Sequence, residues 1–256
     1  MVSKISKSRL DQRLVDLGLA ESRTRAQSLI MAGLVFVDGH RIDKSGTSVA
    51  VDKPIELKGQ DHPWVSRGGL KLAHGLAHFD LPVLDMVCLD VGASTGGFTD
   101  VLISHGASKV YAIDVGHGQL AWKLRSDDRV VVLEKTNARY LTNEMITDHI
   151  DGVVCDASFI GLQTVLPAAL SLVKPGGWCI ALIKPQFEVG RGQVGKKGVV
   201  RDPDLHAAVC DKISAWLNND LGWRVLGIEV SPITGPEGNV EFLIAAGKPL
   251  LENQPT

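Results

Sequence analysis

From Leu81 onward, short runs almost free of polar residues alternate with helix-length segments. Val87 to Val91, Lys109 to Asp114, Arg129 to Leu133, Gly152 to Cys155 and Trp178 to Ile183 are such runs. A strand with one face in water alternates apolar and polar side chains. A strand apolar throughout is buried on both faces, as in a parallel sheet covered by helices on each side. Two further runs, Arg224 to Val230 and Val240 to Ala246, are separated only by Ser231 to Asn239. That connection is too short for a helical crossover, so the closing pair is expected to be antiparallel. The pattern predicts an α/β, Rossmann-like, doubly wound sheet of seven mostly parallel strands with an antiparallel last strand.

Residues 1–60 read differently, as a small α+β unit. Ser8 and Asp11 have the spacing of a capping box, and Leu10, Leu14 and Leu17 follow at helical spacing as far as Gly18. A second helix fits Arg23 to Ala32, with Ser22 as its cap and Gly33 as its stop. Asp38-Gly39 between Val35-Phe36-Val37 and Arg41-Ile42 predicts a hairpin, and Lys44 to Leu57 can complete a small sheet. The Gly-, Pro- and polar-rich stretch after Lys58 suggests a linker at 61–66, leaving 67–250 as the larger domain.

The 256 residues are 45% hydrophobic and 22% charged, which excludes wholesale disorder, and the net charge of −2 excludes a protein coated in basic residues. The charge is uneven: +3 over 1–60 and −5 over the remainder. The first twenty residues carry charges throughout, so no export signal is expected. The longest nearly apolar stretch, Val165 to Val173, is interrupted by Pro167 and Ser171 and falls well below the ~18 residues of a spanning helix, so no stable membrane insertion is expected. Cys88, Cys155, Cys179 and Cys210 show no metal-type spacing and read as reduced core residues of a cytoplasmic protein, with no metal.

The turn after the first long run, Leu89-Asp90-Val91-Gly92-Ala93-Ser94-Thr95-Gly96-Gly97-Phe98-Thr99, opens a helix. It fits neither the dinucleotide fingerprint nor a phosphate-binding P-loop. Instead Asp90 precedes the first glycine, and Asp114 ends the next strand, where a carboxylate commonly accepts ribose hydroxyls. Two acids without a phosphate-binding lysine suit ribose, adenine and a cationic amino-acid end, which points to S-adenosylmethionine and hence a class I methyltransferase. Gly92, Ser94, Gly96 and Gly97 are expected to line its methionine and ribose side, Asp114 to take the ribose hydroxyls, and Asn137 to meet adenine. A turn without a ligand, and a plain loop asparagine, are the structural alternatives. The G-x-x-x-x-G-K-K of Gly190 to Lys197 lacks the Ser or Thr of a P-loop and reads as a flexible basic loop near a polyanion.

Four charged residues are brought toward one another by this topology. Asp156 ends the fourth run, Lys184 the fifth, Glu241 lies in the last, and Lys71 lies upstream in Arg67-Gly68-Gly69-Leu70-Lys71-Leu72. Singly, each has a plain reading, such as a lysine snorkelling to solvent. Together beside a cofactor turn they suggest chemistry.

The segments DVGASTGGFTD (90–100), CDASF (155–159), IKPQFE (183–188), RGGLKL (67–72) and GKKGVVRDP (195–203) resemble the TlyA family across essentially the whole chain. In that family an S4 RNA-binding domain precedes an FtsJ/RrmJ-like ribosomal RNA methyltransferase domain, and many members bear the name haemolysin. The resemblance implies a Lys-Asp-Lys-Glu tetrad at Lys71, Asp156, Lys184 and Glu241, and 2′-O-methylation of cytidine in ribosomal RNA. Lys184 would contact the 2′-oxygen and serve as general base if burial or Lys71 lowers its pKa, with Asp156 orienting it. Glu241 and Lys71 would tune that pair and hold the ribose. Lys4, Lys7, Arg9, Arg13, Arg23 and Arg25 are the candidate RNA contacts of the small unit, with ribosomal RNA or ribosomal subunits as partner. A 2′-hydroxyl target excludes DNA. Two other readings are an assembly factor with an inert methyltransferase domain and a cytolysin, the latter lacking any membrane-inserting segment.

Overall fold

The computed structural model describes residues 6–20, 22–31, 33–58 and 62–250, with the backbone alone at Arg191 and Pro236. The chain divides into two compact units, Met1–Pro63 and Trp64–Thr256. The first contains β1 (Lys7–Arg9), α1 (Leu10–Asp16), α2 (Arg23–Met31), β2 (Val35–Val37), β3 (His40–Arg41), β4 (Ser48–Ala50) and β5 (Ile55–Leu57). Its core is Leu10, Leu14, Ala26, Leu29, Ile30, Val35 and Val37. The Asp38-Gly39 hairpin forms as expected, with both residues at positive φ. The expected single small sheet is instead two: β1 pairs with β4, and β2 lies between β3 and β5. Ser22 caps α2 by accepting from the Arg25 amide at 3.2 Å, and that helix ends at Met31, Ala32 lying outside the described residues. The Ser8 capping box does not form. Ser8 is in β1, Arg9 is the N-cap of α1 without a side-chain bond, and the Asp11 carboxylate is buried and engaged elsewhere.

The second unit comprises α3 (Gly68–His78), β6 (Val87–Val91), α4 (Gly97–Ser104), β7 (Lys109–Ile113), α5 (Trp122–Arg125), β8 (Val130–Leu133), β9 (Ile150–Cys155), α6 (Leu162–Val165), α7 (Pro167–Ser171), β10 (Val173–Ile183), α8 (Pro185–Glu188), α9 (Pro203–Ala215), β11 (Arg224–Val230) and β12 (Phe242–Gly247). Among the described residues these strands form one seven-stranded sheet in the order β11-β12-β10-β9-β6-β7-β8. All neighbours are parallel except β12, which runs antiparallel to both β10 and β11. Several crossovers are shorter than the sequence suggests: α5 has four residues, and a single turn of 3-10 helix, Ala138–Tyr140, is the helical element between β8 and β9.

Both faces of the sheet are dry. Along β10, Cys179, Ala181 and Ile183 enter one core, with Val209, Ile213 and Trp216, while Trp178, Ile180 and Leu182 enter the other, with Leu72, Leu76, Phe98 and Leu102. This two-sided burial is why the strands read as unbroken apolar runs. All four cysteines are free and buried, and burial pushes their thiols up.

Candidate active site

The same alternation places the charged residues. Val154, Leu182 and Leu243 face the α3 side of the sheet. Two residues on from Val154 and Leu182, and two before Leu243, stand Asp156, Lys184 and Glu241, so strand parity directs all three toward α3. The register levels them: Val91 is opposite Cys155, Cys155 opposite Ala181, and Ile183 opposite Phe242. Glu241 lies one residue before β12 rather than within it, its carbonyl accepting from the Ser231 amide at 2.9 Å. Helix α3 contributes Lys71, and close approach at the glycines lets it settle there. A Cβ on Gly97 would meet the Gly69 nitrogen at 2.9 Å.

The four side chains form a continuous chain of charges. Lys71 Nζ donates to Glu241 Oε2 at 2.7 Å and to Asp156 Oδ2 at 3.3 Å. The other Asp156 oxygen, Oδ1, is 2.6 Å from Lys184 Nζ. Lys184 Nζ also donates to the Asp156 carbonyl and to Ser158 Oγ, each at 3.0 Å. Side-chain exposure is 9% at Lys71, 7% at Lys184 and 1% at Glu241, but 21% at Asp156. Burial disfavours the Lys71 charge, yet the Asp156 and Glu241 carboxylates outweigh it and hold Lys71 above the ordinary lysine value. Of the two lysines, Lys71 is thus the fixed cation, and Lys184 is the one with a replaceable partner, the neutral Ser158 hydroxyl.

Gly92 sits beside this chain. Its φ is +84°, and an added Cβ would meet the Ala157 backbone at 2.9 Å, so only glycine allows β6 to turn so close to the Asp156 loop. Ser94, exposed at φ +48°, donates its amide to Asp114 Oδ2 at 2.8 Å, and Gly116 donates to Oδ1 at 2.7 Å. The half-buried Asp114 carboxylate is thereby fixed with lone pairs left over. Gly96 and Gly97 are buried, and a Cβ would strike Leu124 and Leu120 at Gly96 and the Gly69 nitrogen at Gly97, so packing holds both positions to glycine. Asp90 is wholly buried in the core. Its Oδ2 accepts from Thr99 Oγ1 at 2.6 Å while Oδ1 has no hydrogen-bond partner, and burial pushes its carboxyl up to about 7 against the pull of Thr99. Asn137 is exposed and caps the turn at 138–140 by accepting from the Arg139 amide at 3.1 Å.

Phe159 was not singled out by sequence. It is 90% exposed at φ +65°, a costly conformation for a bulky side chain. Its ring centroid is 5.1 Å from that of Phe187, which lies 6.0 Å from Lys184 Nζ. Each aromatic follows its strand-end charge by three residues, Asp156 and Lys184 respectively, which is the signal that could have found them.

In the small unit, Asp11 is fully buried and bridges two arginines. Arg9 donates through Nε and Nη2 at 3.0 and 2.8 Å, Arg23 through Nη2 at 3.2 Å, and Gln27 Nε2 adds a bond at 3.0 Å. The Arg9 bonds, against the opposing effect of burial, hold the Asp11 carboxyl well below the usual range. Both arginines remain 53% exposed. Arg13 Nη2 donates to the Val51 carbonyl at 2.8 Å, Arg25 is half-buried on α2, Lys7 is exposed in β1, and Lys4 lies outside the described residues.

Comparison with known proteins assigns both units to known families. The FtsJ-like methyltransferase family matches residues 64–248, and the S4 domain matches residues 8–53. The 16S/23S rRNA (cytidine-2'-O)-methyltransferase TlyA of Mycobacterium tuberculosis is 49% identical over 93% of this chain and 89% of its own length. Hemolysin A of Brachyspira hyodysenteriae is 42% identical over 92% of this chain and 98% of its own. A solved structure from Streptococcus thermophilus that carries a hemolysin name is 44% identical, covers 96% of this chain and 90% of that one, and superposes with a TM-score of 0.76. No helix among the described residues is long and apolar enough to cross a membrane. The chain belongs to the FtsJ-like methyltransferase family and carries an S4 domain ahead of its methyltransferase domain.

Proposed function

We propose that this protein methylates the ribose 2′-hydroxyl of a cytidine in ribosomal RNA, using S-adenosylmethionine, with the S4 unit of residues 1–60 holding the RNA. The observation that carries the reading is the Lys184–Asp156–Lys71–Glu241 chain beside the Gly92 turn. The donor set fits the cofactor: Asp114, fixed by two amides, has lone pairs for ribose hydroxyls, and Gly92 and Ser94 lie at the same strand ends. When bound, S-adenosylmethionine supplies a methyl group already activated by its sulfonium. What the protein must add is position and a proton acceptor. The 2′-oxygen would take the place of Ser158 Oγ against Lys184, the group placed to accept the hydroxyl proton as the methyl passes to that oxygen from the sulfonium sulfur, left as a neutral thioether. Asp156 aims that amine through Oδ1 and is itself held through Oδ2 by Lys71, which Glu241 anchors. Phe159 offers a face on which the target base can stack, as single-stranded RNA bases do on aromatic side chains.

In the small unit, Arg9 and Arg23 are held by Asp11 with about half of each side chain exposed, and are suited to phosphate contacts whose strength falls with salt. The test is transfer of a labelled methyl group from S-adenosylmethionine to purified ribosomal subunits, followed by nucleoside analysis of the RNA. Label in 2′-O-methylcytidine is expected. Label on a base, or none with either subunit, overturns the reading, and the second outcome favours the RNA-binding assembly factor.

A further inference from the structure

Helix α3 carries a second cluster beyond Lys71. His74 and His78 are four residues apart, so their rings lie on one stripe of the helix. Opposite them, Glu229 of β11 presents one oxygen to each: His74 Nε2 is 3.6 Å from Oε1, and His78 Nε2 is 3.7 Å from Oε2. Both separations are too long for a hydrogen bond. His74 Nε2 is nevertheless buried and has no hydrogen-bond partner. The rings are 5.9 Å apart, and His78 stands edge-on to Phe79 at 4.7 Å. Phe79 in turn reaches under Gly227 of β11, where a Cβ would meet its ring at 3.1 Å. Packing therefore aims the two imidazoles at one carboxylate. A simple surface ion pair accounts for a glutamate near a histidine, but not for two converging Nε2 atoms, one of them buried without a partner.

We propose that His74, His78 and Glu229 bind a divalent transition-metal ion of the zinc class, with solvent as the fourth ligand. Two imidazoles and a carboxylate are zinc donors, whereas calcium and magnesium require oxygen ligands. The three ligand atoms already lie within 4.8 Å of one another. Tetrahedral zinc, with bonds of about 2.0–2.2 Å, sets its donors roughly 3.3 Å apart. Side chains 34–43% exposed can rotate to close that difference, and the same exposure leaves one position open to water. Bound there, the ion ties the helix that carries Lys71 to the edge strand β11. It takes no part in methyl transfer.

The test uses the full chain, stripped with chelator, then titrated with zinc chloride against a chromophoric indicator and separately with cobalt(II) for its visible spectrum. One ion per chain, a cobalt spectrum of low coordination number, and a zinc-dependent rise in Tm are expected. His78→Ala and Glu229→Gln should each weaken binding at least about tenfold, since even the outer partners of metal ligands are worth 10–100-fold. Both should also remove the rise in Tm, and His40→Ala, in the other unit, should change neither. Absence of stoichiometric binding by the unmodified chain, or binding that His78→Ala and Glu229→Gln leave intact, overturns the proposal.

Discussion

Asp11 in the small unit and Asp156 in the large one each bridge two cationic side chains, but with burial reversed. Asp11 is fully buried and its arginines are half in water; Asp156 is the most exposed member of a group whose lysines are almost wholly enclosed. A buried acid with exposed guanidiniums makes a rigid mount that presents charge to a partner. Enclosed ammoniums with a shared carboxylate make a site where one proton can be exchanged under control. On the proposed reading, the same ion-pair chemistry serves adhesion in one place and reaction in the other, according to which partner is kept from solvent.

The comparison breaks first at Lys184. Lys184→Ala should lower single-turnover methyl transfer by about 10²–10⁴-fold, the usual worth of a positioned acid or base, while S-adenosylmethionine affinity measured by calorimetry stays unchanged. Equal loss of both would assign the residue to the cofactor site or to folding.

A comparable effect, read in stability rather than rate, is expected from the anchor. Lys71→Met leaves Glu241, 1% exposed, as an uncompensated buried charge, and should cost about 3–5 kcal/mol in urea unfolding. Lys71→Met combined with Glu241→Leu should recover much of that stability without recovering activity. If the single variant is as stable as the parent, the tetrad is not the enclosed network described.

The smallest change belongs to the mount. Asp11→Asn should cost about 1.5–3 kcal/mol, the range for hydrogen bonds to a charged group, and weaken RNA binding while leaving turnover at saturating RNA intact. Because folding lowers the Asp11 carboxyl, its stabilisation is present above the ordinary aspartate value near ~4 and is lost as pH falls toward the depressed native value. Asp11→Asn should flatten that acid limb in pH-dependent unfolding of the small unit. An unchanged limb would show that Arg9 and Arg23 do not hold this acid.

Apolar runs buried on both faces are a signal that survives without coordinates, and with them came the sheet and the charged residues at its strand ends. Parity carries that further, because Val154 and Asp156, or Leu182 and Lys184, share a face by counting alone. What escaped depends on contacts distant in sequence. Asp11 has the spacing of a cap, but Arg23 and Gln27, 12 and 16 residues on, claim its carboxylate. Gly96 and Gly97 read as cofactor-lining, and sequence alone does not show that they also accommodate Leu120, Leu124 and the start of α3. Asn137 is the local exception, since besides the adenine contact expected of it, its side chain caps the turn at 138–140. The exposure of Phe159, and the meeting of His74 and His78 with Glu229, need the folded backbone to be seen at all.

Since β12 runs against its neighbours, its first residues rather than its last lie level with the end of β10. Lys71 therefore waits for a partner 170 positions later in the chain. During synthesis, a nascent polypeptide not yet translated past Glu241 lacks the buried carboxylate that holds that lysine at 2.7 Å. On the proposed reading, methyl transfer therefore waits on the strand that brings this acid, however much of the glycine turn has already been made.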